Sequence, residues 1–342
     1  MPKLVHNADL SGRNTFRMKV RCAALVEVDS EEDLLKLDFA SLPQPVMVMG
    51  GGSNLLFRGD FPGTVLHVGI KGVEQCSQQG DEIFFRAGAG EVFDSFCAFA
   101  AEKGLWGPEN LSLIPGECGA SAVQNIGAYG VEAKDIIHSI RAWDTLEKRF
   151  VDIPGGSCDY GYRASNFKTV WKGRYIITYV TYRLWTSPHP VLDYGGLRKS
   201  IPAETELSPG LLRDTIIGIR RKKLPDPEET GSAGSFFCNP VISREHFERI
   251  VETARNDNGA EYEVPHYVVG EMIKVPAAWM IEQCGFKGQR LGGAQVYQNQ
   301  PLVIVNASGE ASPDEIIGLE NRIISAIKEK YGITLHPEVE HI

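Results

Sequence analysis

Two segments dense in glycine constrain this chain more than any other feature. The apolar run Val46-Met47-Val48-Met49 has the length of a buried strand and stops abruptly at Gly50-Gly51-Gly52-Ser53-Asn54. The second segment is longer: Ile114-Pro115-Gly116-Glu117-Cys118-Gly119-Ala120-Ser121-Ala122-Val123-Gln124-Asn125-Ile126-Gly127-Ala128-Tyr129-Gly130, with Glu117 its only strong charge. Glycine removes the Cβ and tolerates positive φ, so backbone can approach a ligand closely. Successive N–H groups in such turns form an anion-binding concavity. The first segment alone fits a plain tight turn as well as a phosphate site. The second implies a backbone packed beneath a large flat ligand.

The glycine-dense turns at 50–54 and 88–90 do not carry the common nucleotide motifs. Gly50 to Asn54 lacks the lysine of a P-loop, and Gly88-Ala89-Gly90 has Phe93 where the dinucleotide fingerprint requires a third glycine. A P-loop enzyme and a Rossmann dehydrogenase are both disfavoured. The formal charge of -9 argues against a nucleic-acid binder, so an anionic substrate must be met by local donors. With 342 residues, 43% of them hydrophobic, the chain has material for two or three domains of roughly 100–200 residues each. No stretch approaches the roughly 18 apolar residues that span a bilayer, and no signal peptide is visible, so a cytoplasmic protein is expected. Its seven cysteines are odd in number and contain no Cys-x-x-Cys, which reads as free thiols without a structural metal.

Further strands are expected at 65–68, 83–85, 175–182 and 302–305, all rich in β-branched or aromatic residues. Val92, Phe96, Phe99 and Ala100 predict a helix over 91–103 that stops at Gly104, and another starts at Pro276 and ends near Gly285. A third has Ser312 as N-cap, Pro313 at its first position, Glu315 completing a capping box and Gly332 as its stop. A fourth begins near Leu211. The Pro-, Gly- and Ser-rich stretch 185–211 reads as a long loop, a domain boundary or a substrate-covering insertion. Such a mixture gives an α+β or mixed α/β chain.

The sequence resembles the UDP-N-acetylenolpyruvoylglucosamine reductases of bacterial peptidoglycan synthesis. Besides the two glycine segments, the likeness rests on Asn14-Thr15-Phe16, Tyr160-Gly161-Tyr162-Arg163, Lys223-Leu224-Pro225-Asp226-Pro227, Gly234-Ser235-Phe236-Phe237 and Pro337-Glu338-Val339, in order through nearly the whole chain. It implies a two-part FAD-binding fold of the vanillyl-alcohol-oxidase type, with residues 1–73 and 74–222 as its halves, followed by an α+β substrate domain at 223–342. Gly50, Gly51, Gly52, Ser53, Asn54, Pro115, Gly116, Gly119, Ala120, Asn125, Gly127, Ala128, Tyr129, Gly130 and Tyr162 would hold FAD. Tyr194, in Val191-Leu192-Asp193-Tyr194-Gly195, resembles the tyrosine that closes over the substrate in the longer form of the family.

The chemistry implied is hydride addition to a carboxyvinyl ether, which leaves an enolate-like carboxylate to be stabilised and then protonated. Arg163 offers a bidentate fork for the carboxylate. Ser235 is the candidate proton donor, and Glu338 would pair with Arg163 or polarise the developing enediolate. Tyr194 and Lys223 are matched to diphosphate contacts, and Asn239 to another substrate contact. NADPH would reduce FAD and leave before the sugar nucleotide enters, with the protein acting as a monomer. Two positions depart from the family: Glu340 stands where an arginine usually follows Pro337-Glu338-Val339, and Cys238 where a basic residue usually follows the two aromatics. Two other readings remain open, an FAD oxidase on the same fold and a sugar-nucleotide-binding protein without turnover.

Overall fold

The computed structural model describes residues 2–194, 196–202 and 204–342. Gly195 of the tyrosine loop lies outside the described residues. The chain forms two compact units: Met1–Asp9, Arg21–Gly52 and Asp60–Lys222 in the first, Leu10–Val20, Ser53–Gly59 and Lys223–Ile342 in the second. The segments 1–73 and 74–222 therefore contribute together to one unit, except for two short stretches that belong to the other.

The first unit holds two sheets. In the smaller, strand Arg21–Val28 pairs parallel with Phe61–Val68, which pairs parallel with Val46–Met49, while Lys3–Asp9 adds antiparallel on the far side. Val46–Met49 is thus an edge strand with Val48 46% exposed, not the fully buried strand its apolar composition suggests. The larger sheet is antiparallel, in the order Arg149–Pro154, Ile137–Asp144, Tyr175–Trp185, Glu82–Gly88 and Val73–Gln79. Period-two alternation explains the central strand: Val180, Tyr182 and Leu184 are buried, and Tyr179, Thr181 and Arg183 between them are not. Helix Phe93–Glu102 buries Phe93, Phe96, Cys97 and Ala100 against this sheet's core. Gly88 and Gly90 allow tight chain packing, since a Cβ at either would meet the backbone of residues 68–71 at 3.0 Å or less. That explains Gly88-Ala89-Gly90 without a ligand.

The second unit carries a four-stranded sheet, ordered Gly231–Ser232, Ile304–Asn306, Ala294–Val296 and Arg290–Leu291, and a three-stranded one, Val241–Ile242, Met272–Lys274 and Tyr267–Val269. Helix Pro313–Tyr331 buries Ile316, Leu319, Ile323 and Ile327, begins with both bonds of the Ser312/Glu315 capping box, and ends at left-handed Gly332. Asn14-Thr15-Phe16 packs into this unit. Thr15 O accepts from Ser232 N, Phe16 O accepts from Asn306 Nδ2, and a Cβ on Gly231 would collide with Phe16 O. No helix among the described residues is long and apolar enough to cross a membrane.

Candidate active site

In the first unit the two glycine segments meet. A Cβ built on Gly51 would find only Gly116 Cα, 3.7 Å away, so the space before this glycine is open. Gly52, Gly116 and Gly130 have φ of 62°, 117° and 86°, values that side chains rarely adopt. The strand before the first segment and helix Cys118–Gln124 within the second fix the two turns. Gly119 serves that helix, because a Cβ there would press on Ala89 Cβ at 2.9 Å. From beneath, Tyr182 and Ser121 share a buried hydroxyl–hydroxyl hydrogen bond of 2.9 Å, and Ser121 Oγ donates to Cys118 O. Burial pushes the Cys118 thiol up to about 12, so it remains protonated at neutral pH and is no nucleophile. Glu117 meets His67 Nε2 at 3.0 Å, beside Gly50.

Arg163 is held by the same segment. Its Nη2 donates to Gly127 O at 2.9 Å and its guanidinium lies 5.2 Å from the Tyr162 ring centroid. Asn125, Tyr129 and Arg163 all have positive φ, at 46°, 48° and 54°. Such conformations persist only where the surroundings impose them, and they concentrate at functional sites. Asn125 supplies that constraint here. Fully buried, it donates to Glu132 Oε2 and Gly161 O and accepts from Lys134 N, so its side chain ties the segment to the Arg163 loop.

Tyr129 packs against a small apolar cluster of Trp106, Leu192, Leu197, Leu212 and Ile216. The stretch 185–211, expected to be a long loop, is therefore anchored by Leu192 and Leu197 on either side of Tyr194. Helix Pro209–Lys223 brings two arginines that the sequence reading missed. Arg213 forks onto Asp94 at 2.5 and 2.9 Å; burial works against the Asp94 charge, yet Arg213 and the Leu113 N–H hold its carboxyl below the usual range. Arg220 donates to Leu113 O at 3.2 Å, and its Nε is buried with no hydrogen-bond partner among the described residues. Burial lowers the Arg220 pKa, and Tyr129 and Asp94 offset part of that. Their spacing of seven, on the face that buries Leu212 and Ile216, was the available signal.

The second unit gathers the remaining candidates. Ser235 follows left-handed Gly234 and precedes Phe236 and Phe237, both buried in the core. Phe237 bridges antiparallel to Pro337, Glu338 N donates to Phe236 O at 2.8 Å, and Cys238 N donates to His336 O. Ser235 and Glu338 are thereby set on adjoining segments of the backbone. The C-terminal strand Glu340–His341 pairs with Leu55–Leu56, and Asn54 Nδ2 donates to Glu338 O at 3.0 Å. Ser53 and Asn54 thus belong to the unit that carries Glu338, not to the one with Gly50–Gly52. Asn239 Oδ1 accepts from Ala277 N at the start of helix Ala277–Gln283. Lys223 ends its helix exposed. Among the described residues no cluster of three or more His, Cys, Asp or Glu could hold a metal ion.

Residues 226–342 match the C-terminal domain family of UDP-N-acetylenolpyruvoylglucosamine reductase, and residues 22–148 match the FAD binding domain family. A Bacteroides fragilis protein named UDP-N-acetylenolpyruvoylglucosamine reductase is 43% identical over 97% of this chain and 98% of its own length. The chain belongs to that reductase family. Relatives with the same name from Porphyromonas gingivalis and Neisseria meningitidis serogroup A are 43% and 38% identical, covering 97% and 99% of this chain. The reductase crystal structure from Thermus caldophilus superposes with a TM-score of 0.68 over 100% of this chain and 98% of its own, at 20% identity, and so shares the fold. The chain is therefore an FAD-dependent oxidoreductase of mixed strand and helix content, with an FAD-binding part and a C-terminal part as the sequence implied. The exposed backbone at Gly51, next to Gly116, fits such a cofactor, because a flat ring system can lie on backbone that carries no side chain.

Proposed function

We propose that this enzyme reduces UDP-N-acetylglucosamine enolpyruvate to UDP-N-acetylmuramate with NADPH, as a cytoplasmic monomer in peptidoglycan precursor synthesis. The observation that carries the reading is the pairing of the Ser235 segment with the Glu338 segment, which brings a serine and a glutamate onto adjoining stretches of backbone. A flavin oxidase would have no shared use for those two groups. FAD, when bound, would supply the two-electron chemistry. Gly50–Gly52 and Pro115–Gly130 would hold it, with Tyr162 alongside.

Arg163 pairs with the substrate carboxylate and stabilises the charge that develops there; its left-handed backbone and its bond to Gly127 O fix the fork. Ser235 delivers the proton to the carbon beside that carboxylate, and Glu338 polarises the same centre. Tyr194, Lys223 and Asn239 contact the nucleotide sugar. With Glu340 and Cys238 in place of basic residues, the diphosphate rests more heavily on Lys223. Ser235→Ala tests the proposal. It should keep FAD and remain reducible by NADPH, while reoxidation by the enolpyruvyl substrate slows by the roughly 10²–10⁴-fold that general acid catalysis contributes. Equal loss in both half-reactions, or in neither, removes Ser235 from this role.

A further inference from the structure

Tyr194 sits in a stretch without strand pairing, yet a substrate contact needs its side chain held in place. One side chain links this stretch to the flavin segment. Asn110, in the short 3₁₀ turn Glu109–Leu111, is fully buried, and its Nδ2 donates to Tyr129 O at 2.8 Å and to Val191 O at 2.9 Å. The two amide hydrogens thus clasp the end of the glycine-rich segment to the residue three positions before Tyr194. Its Oδ1 is buried with no hydrogen-bond partner among the described residues, so the amide's contribution lies in those two donated bonds.

The contact continues at Gly130. A Cβ there would lie 3.2 Å from Tyr194 Cβ and 3.3 Å from Val191 Cγ1, so the glycine lets the tyrosine stretch rest directly on the flavin segment. Leu192 and Leu197, on either side of Tyr194, are buried in one apolar cluster. Without the clasp, Val191 O would turn to water and Tyr194 would lose its register against Gly130.

We propose that Asn110 is a positioning residue that holds Tyr194 for the substrate by locking its stretch onto Tyr129-Gly130. This rests on the reading of Tyr194 as a substrate contact, and the experiment separates the two. FAD-loaded wild type, Asn110→Ala, Tyr194→Phe and the double variant are titrated with UDP-N-acetylglucosamine enolpyruvate, following the flavin spectrum. Each single variant should raise Kd about tenfold, equivalent to ~1.4 kcal/mol. The double variant should bind no more weakly than Tyr194→Phe within about twofold, because a residue acting through Tyr194 has nothing left to position. Should Asn110→Ala not fold, Asn110→Ser retains one donor and enters the same cycle. Independent, multiplying effects would make Asn110 a general structural residue and overturn the proposal, as would an unchanged Kd in the Asn110 variants. No effect of Tyr194→Phe would overturn the reading of Tyr194 itself, and the proposal with it.

Discussion

Replacing Glu109 by glutamine should alter how stability depends on pH. Glu109 is 2% exposed, and burial raises its carboxyl from 4.5 to about 7 against the opposing hydrogen bond from Gly107 N, 2.6 Å from Oε2. Because the folded value lies above the unfolded one, the protonated acid is the form the fold prefers. Its stabilising contribution is complete below about pH 4.5 and is lost as pH rises through about 7. The linkage relation puts the loss between about pH 5 and pH 8 at roughly 2–3 kcal/mol. In Glu109→Gln the amide keeps an acceptor for Gly107 N and does not titrate. Its extra amide hydrogens add a cost, but one that is the same at every pH. Urea unfolding of both proteins across that range isolates the effect, since all other titrating groups are shared. The wild type should lose roughly 2–3 kcal/mol relative to the variant from the acid to the alkaline end. Parallel curves would refute the argument that burial dominates at this carboxyl.

Gly51→Val should purify folded but without bound flavin, because its φ permits a side chain, the new Cβ meets only Gly116 Cα at 3.7 Å, and the remaining atoms enter the open face; an unchanged flavin absorbance ratio would contradict the assignment of this cradle. Ser312→Ala should destabilise the protein by about 1 kcal/mol through the lost bond from Glu315 N, lowering the thermal midpoint by a few degrees with no effect on flavin content.

Where local chemistry decided the structure, the sequence was legible. Ser312, Pro313, Glu315 and Gly332 bounded helix Pro313–Tyr331 to the residue, because capping acts within a single turn. The strands at Glu82–Gly88 and Tyr175–Trp185 showed their alternation or their β-branched content. Val73–Gln79 was missed, because an exposed strand on the edge of its sheet has almost no buried residue to mark it. Lys3–Asp9 hides for the same reason. The exchange of Leu10–Val20 and Ser53–Gly59 into the second unit could not be read, since it depends on pairing with residues some two or three hundred positions away, as Asn54 pairs with Glu338. At the site, the glycines and Arg163 were legible as types that specific chemistry demands. Asn110, Asp94, Arg213 and Arg220 were not, because a buried polar residue is recognised by its partners and those are brought by folding.

An anaerobic two-step experiment on the purified enzyme separates the two half-reactions. NADPH is added to the flavin-containing protein until the oxidised spectrum bleaches, excess nicotinamide is removed, and UDP-N-acetylglucosamine enolpyruvate is added. The yellow spectrum should return stoichiometrically, with UDP-N-acetylmuramate formed in equal amount. A reduced flavin that stays bleached with this substrate, yet recovers its colour with oxygen, would contradict it and favour an oxidase.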